Sequence, residues 1–274
     1  MKQISILGCG WLGFPLGKDL IKNGYLVNGS TTSESKISNL ENTGINPFLV
    51  TLESESVSES INEFLDKSEI LIIDIPPKLR GNNSDSSDSS RKIFVEKIKT
   101  LIPSIEKSTV KKVLFVSSTA VYGNENDFIT EETIPNPETE SGKQLLLAEA
   151  ILQQNQNFET TILRFGGLIG EDRHPVKFLA GKENLENPDA LVNLIHQIDC
   201  IRIIEKIIDQ SKWNEVFNAV APFHPTREDY YTQKATEMNF SLPQFSTQKS
   251  NINKTISSKK IETILNYRFK LENY

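Results

Sequence analysis

The sequence predicts an α/β protein built on a doubly wound parallel sheet, followed by a smaller C-terminal α/β domain. Three observations predict it. Apolar strand-like runs alternate with stretches of helical periodicity over the first 165 residues. Several of those runs are apolar at consecutive positions, as in strands buried on both faces, which points to a parallel sheet covered by helices on each side. Beyond residue 166 the alternation becomes irregular, the texture of a second domain laid over the C-terminal edge of the sheet.

Taken in order, Lys2–Leu7 is a short β-branched run that stops at glycine. Trp11–Asn23 has helical spacing, with Leu12, Leu16, Leu20 and Ile21 on one stripe and Gly24 as its stop signal. Leu26–Gly29 reads as a second strand and Ser33–Glu41 as a helix. Pro47–Val50 is a third strand and Val57–Leu65 a helix. Glu69–Ile75 is a fourth strand, ended by Pro76 and Pro77. Arg91–Lys107 is a long amphipathic helix, followed by the strand Lys112–Ser117, the helix Gly142–Asn155 and the strand Thr160–Phe165. Farther on, helices are expected at Cys200–Gln210, at Thr226–Met238 and near Ser257–Asn266, with a strand at Glu215–Ala219. The expected division is 1–165 for the first domain and 166–274 for the second, with part of 191–220 returning to the sheet.

The 274 residues carry 30 Lys+Arg against 36 Asp+Glu, a net charge of −6. That length suits one large domain or two joined ones and buries a core without staples. No apolar run approaches the roughly 18 residues that span a bilayer; Ile70–Ile73 and Val113–Val116 are typical. The first residues pass directly into a strand-like segment rather than a secretory leader, so a cytoplasmic protein with no membrane partner is expected. Cys9 and Cys200 form neither a CxxC pair nor a disulfide framework. The acidic balance, without a basic stripe, excludes nucleic acid as the expected partner.

Chemistry enters with Gly8-Cys9-Gly10-Trp11-Leu12-Gly13. A GxGxxG alone is weak, but here a strand precedes it, a helix follows, and a second strand comes about 20 residues on. Gly8 allows the tight turn, Gly10 lets backbone approach a pyrophosphate, and Gly13 lets helix and strand pack closely. The phosphates of a dinucleotide then face N–H groups at the positive end of the helix. The expected fold is therefore a Rossmann sheet. A carboxylate at the end of the second strand usually holds the ribose 2′-hydroxyl of NAD. This chain has Ser30, Thr31 and Thr32 there, with Glu34 and Lys36 beyond. Small hydroxyls without a repelling charge favour NADP, with NAD as the alternative; the rival reading is that they only cap the next helix. Further cofactor contacts are expected at Trp11 and Leu12 in the loop, and at Ile75, Pro76, Ser117 and Phe165 at later strand ends. Cys9 reads as a small packing residue, and Asp74 as an acceptor for neighbouring backbone. The polar stretch Gly81–Ser90 follows a strand's C-terminal end and reads either as a surface loop or as a lid.

With the glycine loop, the segment Val116-Ser-Ser-Thr-Ala-Val-Tyr-Gly123 resembles the short-chain dehydrogenase/reductase family, nearest to its extended epimerase and dehydratase branch. Leu163–Gly170, Asn193–Asp199 and Glu215–Ala219 continue the resemblance along nearly the whole chain. The forms GCGWLG, SSTAVYG and Arg173-His-Pro175 are similar to the atypical, YeeZ-like group. The resemblance implies a catalytic Ser/Thr, a Tyr and a Lys. Ser118 supplies the first, three residues before Val121. Where family dehydratases place acids, this chain has Thr119 and Ala120. In the pattern YGxxKxxxE, Gly142 and Glu149 fall in register, but Ser141 replaces the tyrosine and Leu145 the lysine. Lys143 is about 200° around the helix from position 145 and points nearly opposite. The literal YxxxK from Tyr230 to Lys234 reads as chance.

Among other candidates for proton transfer, His174 lies in a loop where family members place substrate contacts, and Arg173 and Lys177 beside it are candidate anion ligands. Tyr122 reads as a packing residue, and His196 and His224 have no metal-ligand spacing. The leading expectation is an NAD(P)-dependent epimerase or oxidoreductase acting on a sugar-like or nucleotide-linked small molecule, with Ser118 and His174 as its catalytic candidates. The rival is a dinucleotide-binding sensor or scaffold without turnover. Family epimerases often pair through two long helices, here Arg91–Lys107 and Gly142–Asn155, so a homodimer is a further expectation.

Overall fold

The computed structural model describes residues 2–77, 93–124, 128–248 and 253–270. In chain order its elements begin with β1 (Gln3–Leu7), α1 (Gly13–Lys22), β2 (Leu26–Thr31), α2 (Ile37–Glu41) and β3 (Asn46–Leu49). Then come α3 (Ile61–Leu65), β4 (Ser68–Ile73), α4 (Ile93–Lys107), β5 (Lys112–Ser118), β6 (Phe128–Ile129) and α5 (Glu140–Gln154). The chain continues through β7 (Glu159–Phe165), β8 (Gly167–Ile169), α6 (Val176–Leu179), β9 (Leu194–His196) and α7 (Gln197–Asp209). It closes with β10 (Val216–Ala219), α8 (Arg227–Glu237), β11 (Thr255–Ile256) and α9 (Lys259–Ile264). The polar stretch Gly81–Ser90 lies outside the described residues.

The main sheet has the strand order β10-β7-β5-β4-β1-β2-β3. β1 pairs in parallel with β2 and β4, β2 with β3, and β4 with β5. This is the doubly wound Rossmann arrangement that the alternating runs predict. Ile4, Ile6, Ile70–Ile73 and Val113–Phe115 are buried at consecutive or alternate positions, so the middle strands have no solvent face. The stripe of α1, Leu16 and Leu20, is buried as its spacing requires.

Two compact units divide the chain. The first comprises Met1–Val121, Pro137–Arg164 and Ile207–Val216; the second comprises Tyr122–Asn136, Phe165–Lys206 and Phe217–Tyr274. Each unit thus gathers three separated segments, where the sequence suggested a cut after residue 165 with part of 191–220 returning to the sheet. Within the second unit β8 pairs with β9, and β6 with β11, both in parallel. Strands of two or three residues have too little periodicity to be read in a sequence.

Some expected elements are shorter. The helix foreseen over Val57–Leu65 begins only at Ile61, and Val57 instead bridges Leu52. The hydroxyl of Ser60 donates to the Leu49 carbonyl, and that of Ser58 accepts from Thr51 N–H. Serine side chains that take local backbone groups compete with the helix ladder. The fourth strand ends at Ile73, before Pro76 and Pro77, which have no N–H to continue a ladder.

In the first unit a charged pair is enclosed in this apolar frame. Arg164 on β7 and Glu149 on α5 are 6% and 1% exposed in their side chains and meet at 2.6 Å. The Arg164 Nε adds bonds of 3.1 and 3.2 Å to the two carboxylate oxygens, and Ser117 on β5 donates to Glu149 Oε1 at 2.5 Å. Removing one partner leaves a buried charge unmatched, at a cost of about 3–5 kcal/mol, whereas removing both is far milder. Arg164→Met should therefore destabilise the protein by that amount in urea unfolding, and Arg164→Met with Glu149→Leu by much less. Equal losses in the single and double variants would contradict this account.

Candidate functional site

The cleft of the first unit forms where β1, β2 and β4 end. Gly8 has φ +110°, and a Cβ there would collide with the Asp74 carbonyl. A Cβ on Gly13 would collide with the Gly8 carbonyl. These two glycines let β1, β4 and α1 converge at van der Waals contact. Gly10 differs, because a Cβ there would meet nothing within 4 Å. The loop therefore offers bare backbone to open space at the place where a pyrophosphate is expected.

Hydrogen bonds fix the loop to the second strand. Gly8 N–H donates to Ser30 Oγ at 2.9 Å, Cys9 N–H to the Ser30 carbonyl at 2.8 Å, and Gly10 N–H back to the Gly8 carbonyl at 2.8 Å. At the start of α1, Leu12 occupies the capping position and no side chain closes the helix. An uncapped helix N-terminus carries partial positive charge and unpaired N–H groups suited to a phosphate.

The cleft has a volume of about 430 Å³. Gly8, Gly10, Ser30, Thr31, Thr32, Ile75 and Pro76 line it, so seven cofactor candidates from three segments of the loop and strand ends converge. Trp11, Leu12 and Gly13 belong to the loop and helix start without lining the cleft, and Leu12 is buried in the core. Ser117 points into the buried ion pair described above, and Phe165 is 2% exposed within the second unit.

The hydroxyls at the end of β2 are partly spoken for. Ser30 Oγ accepts from Gly8, and Thr31 Oγ1 accepts from Ser33 N–H at 3.1 Å; both residues are buried. Thr32 and Lys36 are exposed at the rim. The sequence reading missed Val50, Leu52, Ile93, Phe94 and Lys97 in this lining. One signal was present: Lys97 lies four residues after Ile93 and so shares its helix face. Among the described residues two lysines, Lys36 and Lys97, and one carboxylate, Asp74, line the cleft. Cys9 is an inert wall residue, since burial, aided by the Asp74 charge, pushes its thiol up to about 12. The bare loop, the open helix end and the excess of cations fit an adenine dinucleotide.

The catalytic candidates are distributed differently. Ser118 ends β5 in the first unit, where its Oγ accepts from Ala120 N–H at 3.2 Å and keeps its own proton to donate. Nearby, a Cβ on Gly142 would collide with the Ala120 carbonyl, which holds the first turn of α5 against that segment. Along α5 Leu145 is 4% exposed and Lys143 faces solvent, as the helical geometry requires.

His174 lies in the second unit with both ring nitrogens engaged. Nδ1 accepts from Val176 N–H at 3.2 Å, so the neutral ring carries its proton on Nε2, 3.0 Å from the Tyr230 hydroxyl. Burial, followed by the charges of Lys234 and Lys177, lowers the His174 pKa, and burial raises that of Tyr230. The imidazole anchors its loop and presents no open nitrogen. Burial lowers His196 and His224 as well. Among the described residues no cluster of His, Cys, Asp or Glu could hold a metal.

Comparison with known proteins gives consistent matches. Residues 4–219 match the NAD dependent epimerase/dehydratase family. Protein YeeZ of Escherichia coli (strain K12) is 32% identical over 247 residues, covering 89% of this chain and 87% of that protein. The UDP-glucose 4-epimerase of Thermotoga maritima, solved with UDP-glucose, is 18% identical with a TM-score of 0.79, over 98% of this chain and 94% of that one. The UDP-glucuronic acid 4-epimerase of Bacillus cereus, solved in complex with NAD, also has 18% identity and a TM-score of 0.79, over 98% and 92%. A functionally unknown conserved protein from Silicibacter pomeroyi has 20% identity and a TM-score of 0.79, over 100% and 95%. The structural likenesses show a shared fold.

Two expectations follow from the geometry. A Cβ at Gly10 would meet nothing within 4 Å, so in Gly10→Val the fold should persist by circular dichroism while calorimetric binding of dinucleotide is lost; unchanged affinity would contradict the cradle. The three histidines have folded pKa values below their ordinary 6.5, so the folded protein binds fewer protons than the unfolded chain. Their stabilising contribution is complete above pH 6.5 and is lost as pH falls through the lowered folded values. Thermal unfolding midpoints should fall between pH 7 and 5, less steeply in His174→Gln. A flat profile would refute this.

Proposed function

The chain belongs to the NAD dependent epimerase/dehydratase family, and from that premise we propose that it binds NADP in the cleft of its first unit, in preference to NAD, and acts on the hydroxyl of a sugar-like or nucleotide-linked substrate. The observation that carries the binding reading is the bare backbone at Gly10 beside the open N-terminus of α1. Gly8, Gly10 and the first turn of α1 would hold the pyrophosphate, and the apolar Val50, Leu52, Ile75 and Phe94 would enclose the adenine. The end of β2 has no carboxylate to repel a 2′-phosphate, which supports NADP. The nicotinamide, when bound, supplies a hydride donor or acceptor. Ser118 would orient the substrate hydroxyl through its free proton.

What this chain lacks is the base. A family tyrosine at position 141 would be acidified by a lysine four residues on, across one helix face. Here Ser141 is too weakly acidic and Leu145 is buried without charge. General acid–base help of this kind is worth roughly 10²–10⁴ in rate, or about 3–5 kcal/mol of barrier. That deficit favours a second reading, in which the protein senses or stores a dinucleotide without turnover.

Calorimetric titration with both dinucleotides, followed by incubation with common sugar nucleotides while nicotinamide absorbance is monitored, separates the readings. Binding should be clear, with NADP ahead of NAD, and oxidation slow or absent. Ser141→Ala should leave any residual rate unchanged. A robust turnover that collapses in Ser141→Ala would reveal a proton relay through that serine and overturn the deficit.

A further inference from the structure

Ile93, Phe94 and Lys97 all line the cleft from the first turns of α4. Lysine is foreign to that apolar face. Its side chain is 29% exposed, and its ammonium pairs with Glu53 Oε2 at 3.9 Å. The Glu53 side chain is itself 62% exposed, so the attraction is weak and screened. Among the described residues, the Lys97 ammonium makes no hydrogen bond. Lys97 thus brings a cation with three N–H donors to the wall of the cleft, held only by this loose pairing with Glu53.

A second lysine lines the same cleft. Lys36 closes the short 3-10 turn Glu34–Lys36 after β2, is exposed, and has no ion pair among the described residues. The neighbouring hydroxyls of Ser30 and Thr31 already accept backbone N–H groups. The segment after β2 therefore brings Lys36 to the cleft, while Glu34 of the same turn does not line it. Such a site is matched by a phosphate monoester, which carries close to two negative charges and three strong acceptor oxygens. A neutral ribose hydroxyl would offer the two ammoniums no charge to bind.

We propose that Lys97, acting with Lys36, is the residue by which this cleft selects a dinucleotide phosphorylated on its adenosine ribose. The proposal rests on the dinucleotide reading above and assigns its specificity to α4 rather than to the hydroxyls of Ser30 and Thr31. Charge-assisted bonds to phosphate are about twice as strong as neutral ones, and each 1.4 kcal/mol is tenfold in affinity. Lys97 should thus separate NADP from NAD by about tenfold.

Lys97→Met keeps the apolar stem and removes only the charge. Calorimetric titrations of the wild type and of this variant should use NADP, NAD and 2′,5′-ADP, with circular dichroism and thermal midpoints to check the fold. NADP and 2′,5′-ADP should each weaken by about tenfold, NAD by less than about twofold, and Lys97→Arg should restore part of the loss. Lys36→Met should lower the same two ligands in the same direction. Equal losses for NADP and NAD would mean that Lys97 meets the shared pyrophosphate or supports the fold, and would overturn the proposal while leaving dinucleotide binding intact. Undiminished NADP affinity would also overturn it. A wild type that binds neither dinucleotide would instead overturn the reading on which the proposal rests.

Discussion

The close approach of two backbones at Gly8 and Gly13 is the constraint on which the first unit depends. The carbonyl of Asp74 occupies the space where a Gly8 side chain would stand, and the carbonyl of Gly8 does the same to Gly13. Any other residue forces β4 from β1 or α1 from the sheet. Once the glycines allow contact, the loop between them has little freedom, and its N–H groups are directed to Ser30 and Gly8. What remains is a face of bare backbone at Gly10 and a helix start without a side-chain cap. The packing requirement and the ligand requirement are met by neighbouring glycines for different reasons, which is why the spacing of all three matters.

A second constraint lies at the far side of that unit. Glu149 and Arg164 are almost wholly enclosed and hold α5 to β7, with Ser117 joining β5 to them. A buried ion pair is weak evidence for stability, because desolvation offsets its attraction. Its directional bonds nevertheless fix which turn of α5 faces the sheet. With Gly142 pressed on the Ala120 carbonyl, they set the register that brings positions 141 and 145 beside the end of β5. At those two positions the chain carries a serine and a leucine. Function follows the groups present rather than the fold, so the family alone does not decide turnover.

In the second unit the charged and polar groups serve structure. His174 and Tyr230 stack at 5.8 Å between centroids and share a hydrogen bond, with the remaining imidazole nitrogen taken by the backbone. Tyr122 donates to Asn218, and Tyr267 to the fully buried Asp199. The tyrosine of the literal YxxxK motif is 2% exposed in an apolar cluster, and its lysine pairs with Glu237 at 2.6 Å.

The sequence by itself determined the strands of the Rossmann sheet, the long helices and the glycine loop, because each rests on local signals: runs of apolar residues, one-face periodicity and backbone freedom. Together with the family resemblance, it also put Ser141 and Leu145 where the pattern YGxxKxxxE has its Tyr and Lys. Only the tertiary structure decided what the side chains of Ser30, Thr31, Ser117 and His174 do, because their partners are distant in sequence or arise from the local fold of the backbone. It alone brought Lys97 from α4 into the cleft with Lys36 from the segment after β2. Sixty residues separate the two, and neither periodicity nor propensity carries information about which ends of a sheet converge. Convergence is set by strand order and packing, and in this chain it assembles the charge of the candidate site.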